Sequence, residues 1–179
     1  LLKSISGLLS GVPGGLALTV VFVGMLMAAS TGIVGATVVT MGLMSLPTML
    51  KQGYKPSLAT GTISATGTLG QIIPPSIALV LLGDVLSNAY QQAQLNMGVF
   101  APKSVSVGDL FAGAIVPGLI LVGLYFCYLL LRAILDPESM PVDRQQPAQR
   151  ANLLEALKTL IPPLLLIFAV LGSILLGWA

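Results

Sequence analysis

In an apolar run that carries no charge between Lys55 and Asp84, the stretch Gly67-Thr68-Leu69-Gly70-Gln71-Ile72-Ile73-Pro74-Pro75-Ser76 holds two glycines and a proline pair. Glycine and proline interrupt a helix and strip backbone amides and carbonyls of their intrahelical partners. In hydrocarbon each orphaned group costs several kcal/mol unless protein, water or a bound ion satisfies it. A second such place is Ala28-Ala29-Ser30-Thr31-Gly32-Ile33-Val34-Gly35-Ala36-Thr37, where small and hydroxyl residues gather around two glycines. The polar groups inside the apolar segments are hydroxyls and one amide: Ser30, Thr31, Thr37, Thr40, Ser45, Thr60, Thr62, Ser64, Thr66, Thr68, Gln71 and Ser76. Neutral oxygen donors and unwound carbonyls suit a hard monovalent cation such as sodium, so two facing helix breaks can form a cage for it. Each hydroxyl alone has an ordinary alternative, a bond back to its own helix. Ser30, Thr31, Gly32, Gly67 and Thr68 stand apart because they sit at the breaks.

Other chemistries find too few residues. With no histidine and a single cysteine, Cys127, zinc and haem lack ligands, and an intramembrane serine hydrolase lacks its base. An aspartyl mechanism needs two carboxylates sharing one site, whereas Asp84 and Asp109 fall at segment ends and read as interfacial. The chain is therefore not expected to be an enzyme. The eight Lys and Arg residues are too few, and too spread along segment ends, for a nucleic-acid surface.

The elements that must position these groups follow from hydropathy. Of the 179 residues 55% are hydrophobic and 8% charged, with mean hydropathy +0.97, which places the chain among all-α polytopic membrane proteins. Residues 1–11 show the three-and-four apolar spacing of an amphipathic surface helix. Residues 14–50 read as a re-entrant helical hairpin with its turn near Gly32, its halves facing through Gly24, Ala28, Ala29, Ala36 and Gly42. Two ordinary spans joined by a small loop would have the same end-points. Residues 57–86 exceed the roughly 20 needed to cross a bilayer and predict a discontinuous transmembrane helix broken at Gly67 to Ser76. An external loop is expected over 87–109, a span over 110–131, a cytoplasmic connector over 132–159, helical in part from about Pro147, and the start of a further apolar segment over 160–179. With this arrangement seven of the eight Lys and Arg residues lie inside and only Lys103 lies outside, in line with the positive-inside rule. Lacking an initiator Met and a signal peptide, the sequence reads as an internal fragment of a longer chain.

Several stretches carry a resemblance. Ala29-Ser30-Thr31-Gly32-Ile33-Val34-Gly35-Ala36-Thr37-Val38-Val39, Leu46-Pro47-Thr48-Met49-Leu50-Lys51-Gln52-Gly53-Tyr54, Gly67 through Ser76, and Gly108-Asp109-Leu110-Phe111-Ala112-Gly113-Ala114 with Pro117-Gly118 are similar to the large permease (M) subunit of tripartite ATP-independent periplasmic (TRAP) transporters. The resemblance implies an elevator-type fold with two inverted repeats, of which this chain covers the first. It also implies a small TRAP membrane subunit and a periplasmic substrate-binding protein as partners, and a bacterial inner (cytoplasmic) membrane location. The implied activity is sodium-coupled import of an organic acid, a carboxylate, with sodium as coupling ion and no cofactor. Carried over to this chain, the sodium and substrate site would involve Ser30, Thr31, Gly32, Gly67, Thr68, Gly70 and Pro74. The alternatives are a two-hairpin carboxylate/sodium symporter that works without a binding protein, and a non-transporting membrane scaffold subunit whose small residues serve packing alone.

Overall fold

The computed structural model describes residues 2–9, 11–141 and 153–175. The described residues form helices α1 (Leu2–Leu9), α2 (Gly15–Thr31), α3 (Val34–Lys51), α4 (Pro56–Thr68), α5 (Ile77–Asn96), α6 (Val107–Leu135) and α7 (Leu153–Leu175). Single 3₁₀ turns cover Leu69–Gln71 and Pro137–Ser139. Helices α3, α6 and the segment Leu157–Ile174 of α7 are long and apolar enough to cross a membrane.

At the centre is α2, which is apolar on every side and buried along most of its length, from Gly15 to Ala29. A helix hydrophobic all round needs neighbours all round, and α1, α3, α4, α6 and α7 supply them. Helix α3 buries only Thr37, Met41, Ser45 and Met49, a stripe at four-residue spacing, and leaves Val39, Leu43 and Met44 exposed. Helix α4 lies against both α2 and α3, burying Leu58, Ala59, Thr62, Ile63, Thr66 and Gly67. Small residues set the closeness: a Cβ at Gly24 of α2 would collide with the Thr66 methyl of α4.

Contacts with α6 give the hairpin its depth. At one end Gly14, just before α2, meets Ala133 and Met140. Two-residue reversal at Gly32 and Ile33 joins α2 to α3, and Gly32 abuts the Pro75 carbonyl, while neighbouring Ile73 abuts Gly118 of α6. From Gly118, α6 runs back eleven residues to Val107, about 16 Å at 1.5 Å per residue. The hairpin thus turns part-way along α6 instead of running its full length.

Three boundaries differ from the sequence expectation. The polar segment 87–96, read as part of an external loop over 87–109, continues α5 to Asn96. Asn88 through Asn96 has three Gln and two Ala and no glycine or proline, so it keeps helical propensity despite its polarity; Gly98, with φ +80°, ends the run. Helix α6 covers 107–135 instead of 110–131, capped by Ser106, whose Oγ accepts from the Gly108 amide at 3.1 Å. The last helix starts at Leu153, within the part of the connector expected to be helical, and runs unbroken through residue 160; residues 142–152 of the connector, including Pro147, lie outside the described residues. At the N-terminus, α1 buries Ile5 and packs on α2 and α7.

Candidate functional site

The reversal between α2 and α3 is built from backbone first. Gly32 caps α2 with φ +63°, a left-handed conformation that costs a residue with a Cβ about 1–2 kcal/mol. A Cβ there would also stand 2.7 Å from the Pro75 carbonyl oxygen. Across the same contact, a Cβ on Gly70 would sit in ordinary contact 3.5 Å from the Ile33 backbone, so it is the missing Cβ of Gly32 that lets the two main chains touch. Gln71 adds a side-chain link, its Nε2 donating to the Gly32 carbonyl at 3.5 Å. The turn is laced by hydroxyls: Thr31 Oγ1 and Thr37 Oγ1 lie 3.0 Å apart, Thr31 also donates to Met27 O at 3.0 Å, and Thr37 to Ile33 O at 3.0 Å.

The break in the other wall is sealed by Ser76. After the 3₁₀ turn Leu69–Gln71 the chain is non-helical until Ile77, with a cis Pro74-Pro75 peptide. The buried Ser76 hydroxyl donates to Gln71 O at 2.7 Å and accepts from Leu79 N at 3.4 Å, tying the end of one half-helix to the start of the next.

Four helix ends therefore meet: the C-termini of α2 and of α4 with its 3₁₀ turn, and the N-termini of α3 and α5. The first pair presents carbonyls and the negative ends of helix dipoles, the second amides and the positive ends. Among the described residues no further donor reaches the Ala29, Ser30 and Thr31 carbonyls. The first turn of α3 has no side-chain cap, and Gly35 and Ala36 are exposed. Such a place can hold a cation at the carbonyl ends and an anion at the amide ends side by side.

The seven residues singled out from the sequence divide by position. Gly32 and Gly70 form the contact itself, and Pro74 is buried beside it. Ser30 and Thr31 are exposed at the tip, but Ser30 Oγ donates to Met27 O at 2.9 Å. Gly67 instead faces α3, where a Cβ would collide with Val38. Thr68 is turned toward α6: its hydroxyl donates to Ala65 O at 2.7 Å and lies 3.4 Å from the Tyr125 hydroxyl. Thr37, Gln71 and Ser76 join the site; the sequence placed them within the two break stretches but not among the seven residues carried to the site.

The sequence profile described as the DctM component of the tripartite ATP-independent periplasmic transporter matches residues 1–179. The chain belongs to the DctM family. It is 35% identical over 161 residues to the C4-dicarboxylate TRAP transporter large permease protein DctM of Vibrio cholerae, covering 90% of this chain and 31% of that protein. Its identity to the protein of the same name from Rhodobacter capsulatus is 41% over 115 residues, 62% of this chain and 24% of the relative. The ectoine/5-hydroxyectoine TRAP transporter large permease protein UehC of Ruegeria pomeroyi is 29% identical over 163 residues, 90% of this chain and 34% of the relative. The chain thus spans about a quarter to a third of the length of these relatives. No solved structure matches it.

In this DctM chain a cavity of about 230 Å³ lies away from the hairpin tip, between α4 and α6, lined by Ser57, Gly61, Ala65, Tyr125, Tyr128 and Arg132 among others. The tip itself is closed by the glycine contacts above. Beside the cavity, which Arg132 lines, Lys55 Nζ donates to Asp136 Oδ2 at 2.8 Å and Arg132 Nη2 to the same oxygen at 3.3 Å. The Lys55 hydrogen bond, helped by the charges of Lys55 and Arg132, holds the Asp136 carboxyl below its ordinary pKa against the opposing effect of desolvation. This pair fixes the start of α4 to the end of α6, and the Lys55 amide also donates to Ser139 O at 3.3 Å.

Proposed function

We propose that this DctM chain is the part of a large TRAP permease subunit that forms one wall of a sodium and organic-acid site, in a secondary transporter served by a small membrane subunit and a periplasmic binding protein. The observation that carries the reading is the meeting of four half-helix ends at Gly32, Gly70 and Pro75. Helix C-termini with unpartnered carbonyls suit a desolvated sodium ion, and uncapped N-terminal amides suit a carboxylate, so one place serves the two solutes that symport must couple. The sodium ligands in this reading are the Ala29 to Thr31 carbonyls with the Thr31 and Thr37 hydroxyls, and Ser30 and Gly32 shape the turn. Gly67, Gly70 and Pro74 hold the facing break at contact distance, and Thr68 borders the site on its α6 side. The carboxylate is taken by the α3 N-terminus, which fits the lack of any arginine between Lys55 and Arg132.

A hairpin that turns about 16 Å short of the N-terminal end of α6 supports a site at membrane depth in this reading, where neither solute crosses freely. The relatives' names include C4-dicarboxylate and ectoine permeases, which supports an organic acid as the substrate class in this reading. Uptake by the full-length complex in proteoliposomes tests the reading: accumulation needs an inward sodium gradient, and accumulation that is equal with potassium alone refutes it.

A further inference from the structure

The two helices that frame the cavity of about 230 Å³ run antiparallel: the start of α4 lies beside the end of α6, where Lys55 meets Asp136, and Thr68 lies beside Tyr125. Arg132 stands at one end of the cavity and Tyr125 at the other, about 10 Å apart along α6 at 1.5 Å per residue. Toward the Tyr125 end the polar groups bond to one another: the Thr66 hydroxyl donates to Thr62 O at 2.6 Å, and the Tyr125 hydroxyl lies 3.4 Å from that of Thr68. Val21, Leu58, Ala65 and Leu129 make the remaining wall apolar.

The Arg132 end differs. Its guanidinium is the one charge among the described residues that line the cavity, and no carboxylate is among them. Nη2 donates to Asp136 at 3.3 Å, whereas Nε is buried and has no acceptor among the described residues. A buried N–H without an acceptor is costly, more so on a charged group, so the cavity calls for an acceptor that its own lining does not hold. Ser57, in a first turn of α4 that has no side-chain cap, lies at this same end. No residue from Leu110 to Leu131 of α6 is charged, and Arg132 is the first charge after them. An arginine that ends an apolar span sits at headgroup level, and Tyr128, 55% exposed, is the kind of aromatic that shares that level. The cavity thus has the polarity of a lipid in the lipid's own direction, charged at the end of the span and apolar toward its middle. A dicarboxylate would set its second charge against uncharged walls. A zwitterionic headgroup would bring its own cation beside Arg132 and Lys55, whose shared carboxylate, Asp136, is already bonded to both.

We propose that the cavity between α4 and α6 binds an anionic phospholipid, with the phosphate on Arg132 Nε and one acyl chain between the two helices. The full-length complex, stripped of lipid in detergent, is mixed with phosphatidylglycerol or phosphatidylcholine that carries the same photoactivatable acyl chain, and adducts are mapped by peptide mass spectrometry. The phosphatidylglycerol probe labels the cavity wall on α4 and α6 about tenfold more than the phosphatidylcholine probe. Arg132→Met keeps the apolar stem, leaves Lys55 to hold Asp136, and lowers phosphatidylglycerol labelling to the phosphatidylcholine level. Gly61→Leu fills the cavity from a position where a Cβ meets nothing within 4 Å, so it folds, and it abolishes labelling of the wall by both probes. Excess succinate leaves the labelling unchanged. Equal labelling by the two probes, labelling that survives Gly61→Leu, displacement by succinate, or a wall that takes no label because another segment of the subunit fills the cavity overturns the lipid site. None of these outcomes bears on the sodium requirement of uptake, which is measured separately.

Discussion

Gly32 is where backbone conformation and packing make the same demand. Its left-handed φ of +63° and the Pro75 carbonyl 2.7 Å from any Cβ mean that Gly32→Ala is strained and also forces the two breaks apart. The variant is expected to lose about 1–3 kcal/mol, read as a lower thermal unfolding midpoint in detergent, and to lose sodium-activated uptake. Gln71 makes a different prediction, because its amide reaches the Gly32 carbonyl from the facing wall without filling a packing site. Gln71→Leu should fold normally and raise the half-saturating sodium concentration by about threefold to tenfold, the equivalent of one neutral hydrogen bond; an unchanged sodium curve would separate Gln71 from the site. The hydroxyls at 30, 31 and 68 were legible as oxygen donors but not as oriented ones. Thr68 belongs to the side facing Tyr125 and Thr37 to the tip, because which face a helical residue shows depends on the neighbours that bury the others.

At the scale of elements, the break and the hairpin hold together through small residues at matched positions. Gly67→Ala drives a methyl into Val38, and overpacking of this kind costs about 1–3 kcal/mol. Trimming the obstacle with Val38→Ala should restore most of the loss, and a double-mutant cycle of unfolding midpoints reads the coupling. The ion pair between Lys55 and Asp136 gives a pH prediction. The folded-state pKa of Asp136 is lowered, so the stability it lends is complete above the ordinary carboxylate value and is lost as pH falls through the lowered one. Wild-type unfolding midpoints should therefore drop on acidification through the region below about pH 4, whereas the part of that drop due to Asp136 should vanish in Asp136→Asn. The turn at Gly32 and the break after Thr68 could be read from glycine and proline inside apolar runs, since those residues act locally. The continuation of α5 to Asn96 could not: Asn88 to Asn96 is polar, and polarity alone resembles a loop. Nor could the α7 start at Leu153 be read from hydropathy, because its first turns include Glu155 and Lys158.

For the whole molecule, the decisive relation is between depth and assembly. Helix α2 serves as the buried axis, α3 and α4 lean on it, and α6 runs alongside for about 43 Å over its 29 residues. The hairpin tip and the helix break meet about 16 Å from the N-terminal end of that helix. This DctM chain thus assembles a polar centre of four helix ends within an apolar body, on about a quarter to a third of the length of its relatives. The account stands or falls on whether that centre binds sodium. Gly35 offers the probe: it is exposed at the α3 N-terminus and has no atom within 4 Å of where a Cβ would lie, so Gly35→Cys is accommodated without distortion. In the full-length complex with Cys127→Ser, which removes the exposed native thiol of this segment, and with any other cysteines replaced, labelling by a water-soluble maleimide is followed in sodium and in potassium. With sodium at ten times its dissociation constant the account predicts labelling slowed about tenfold, because only the empty fraction of sites remains open. Equal rates in the two salts would contradict it.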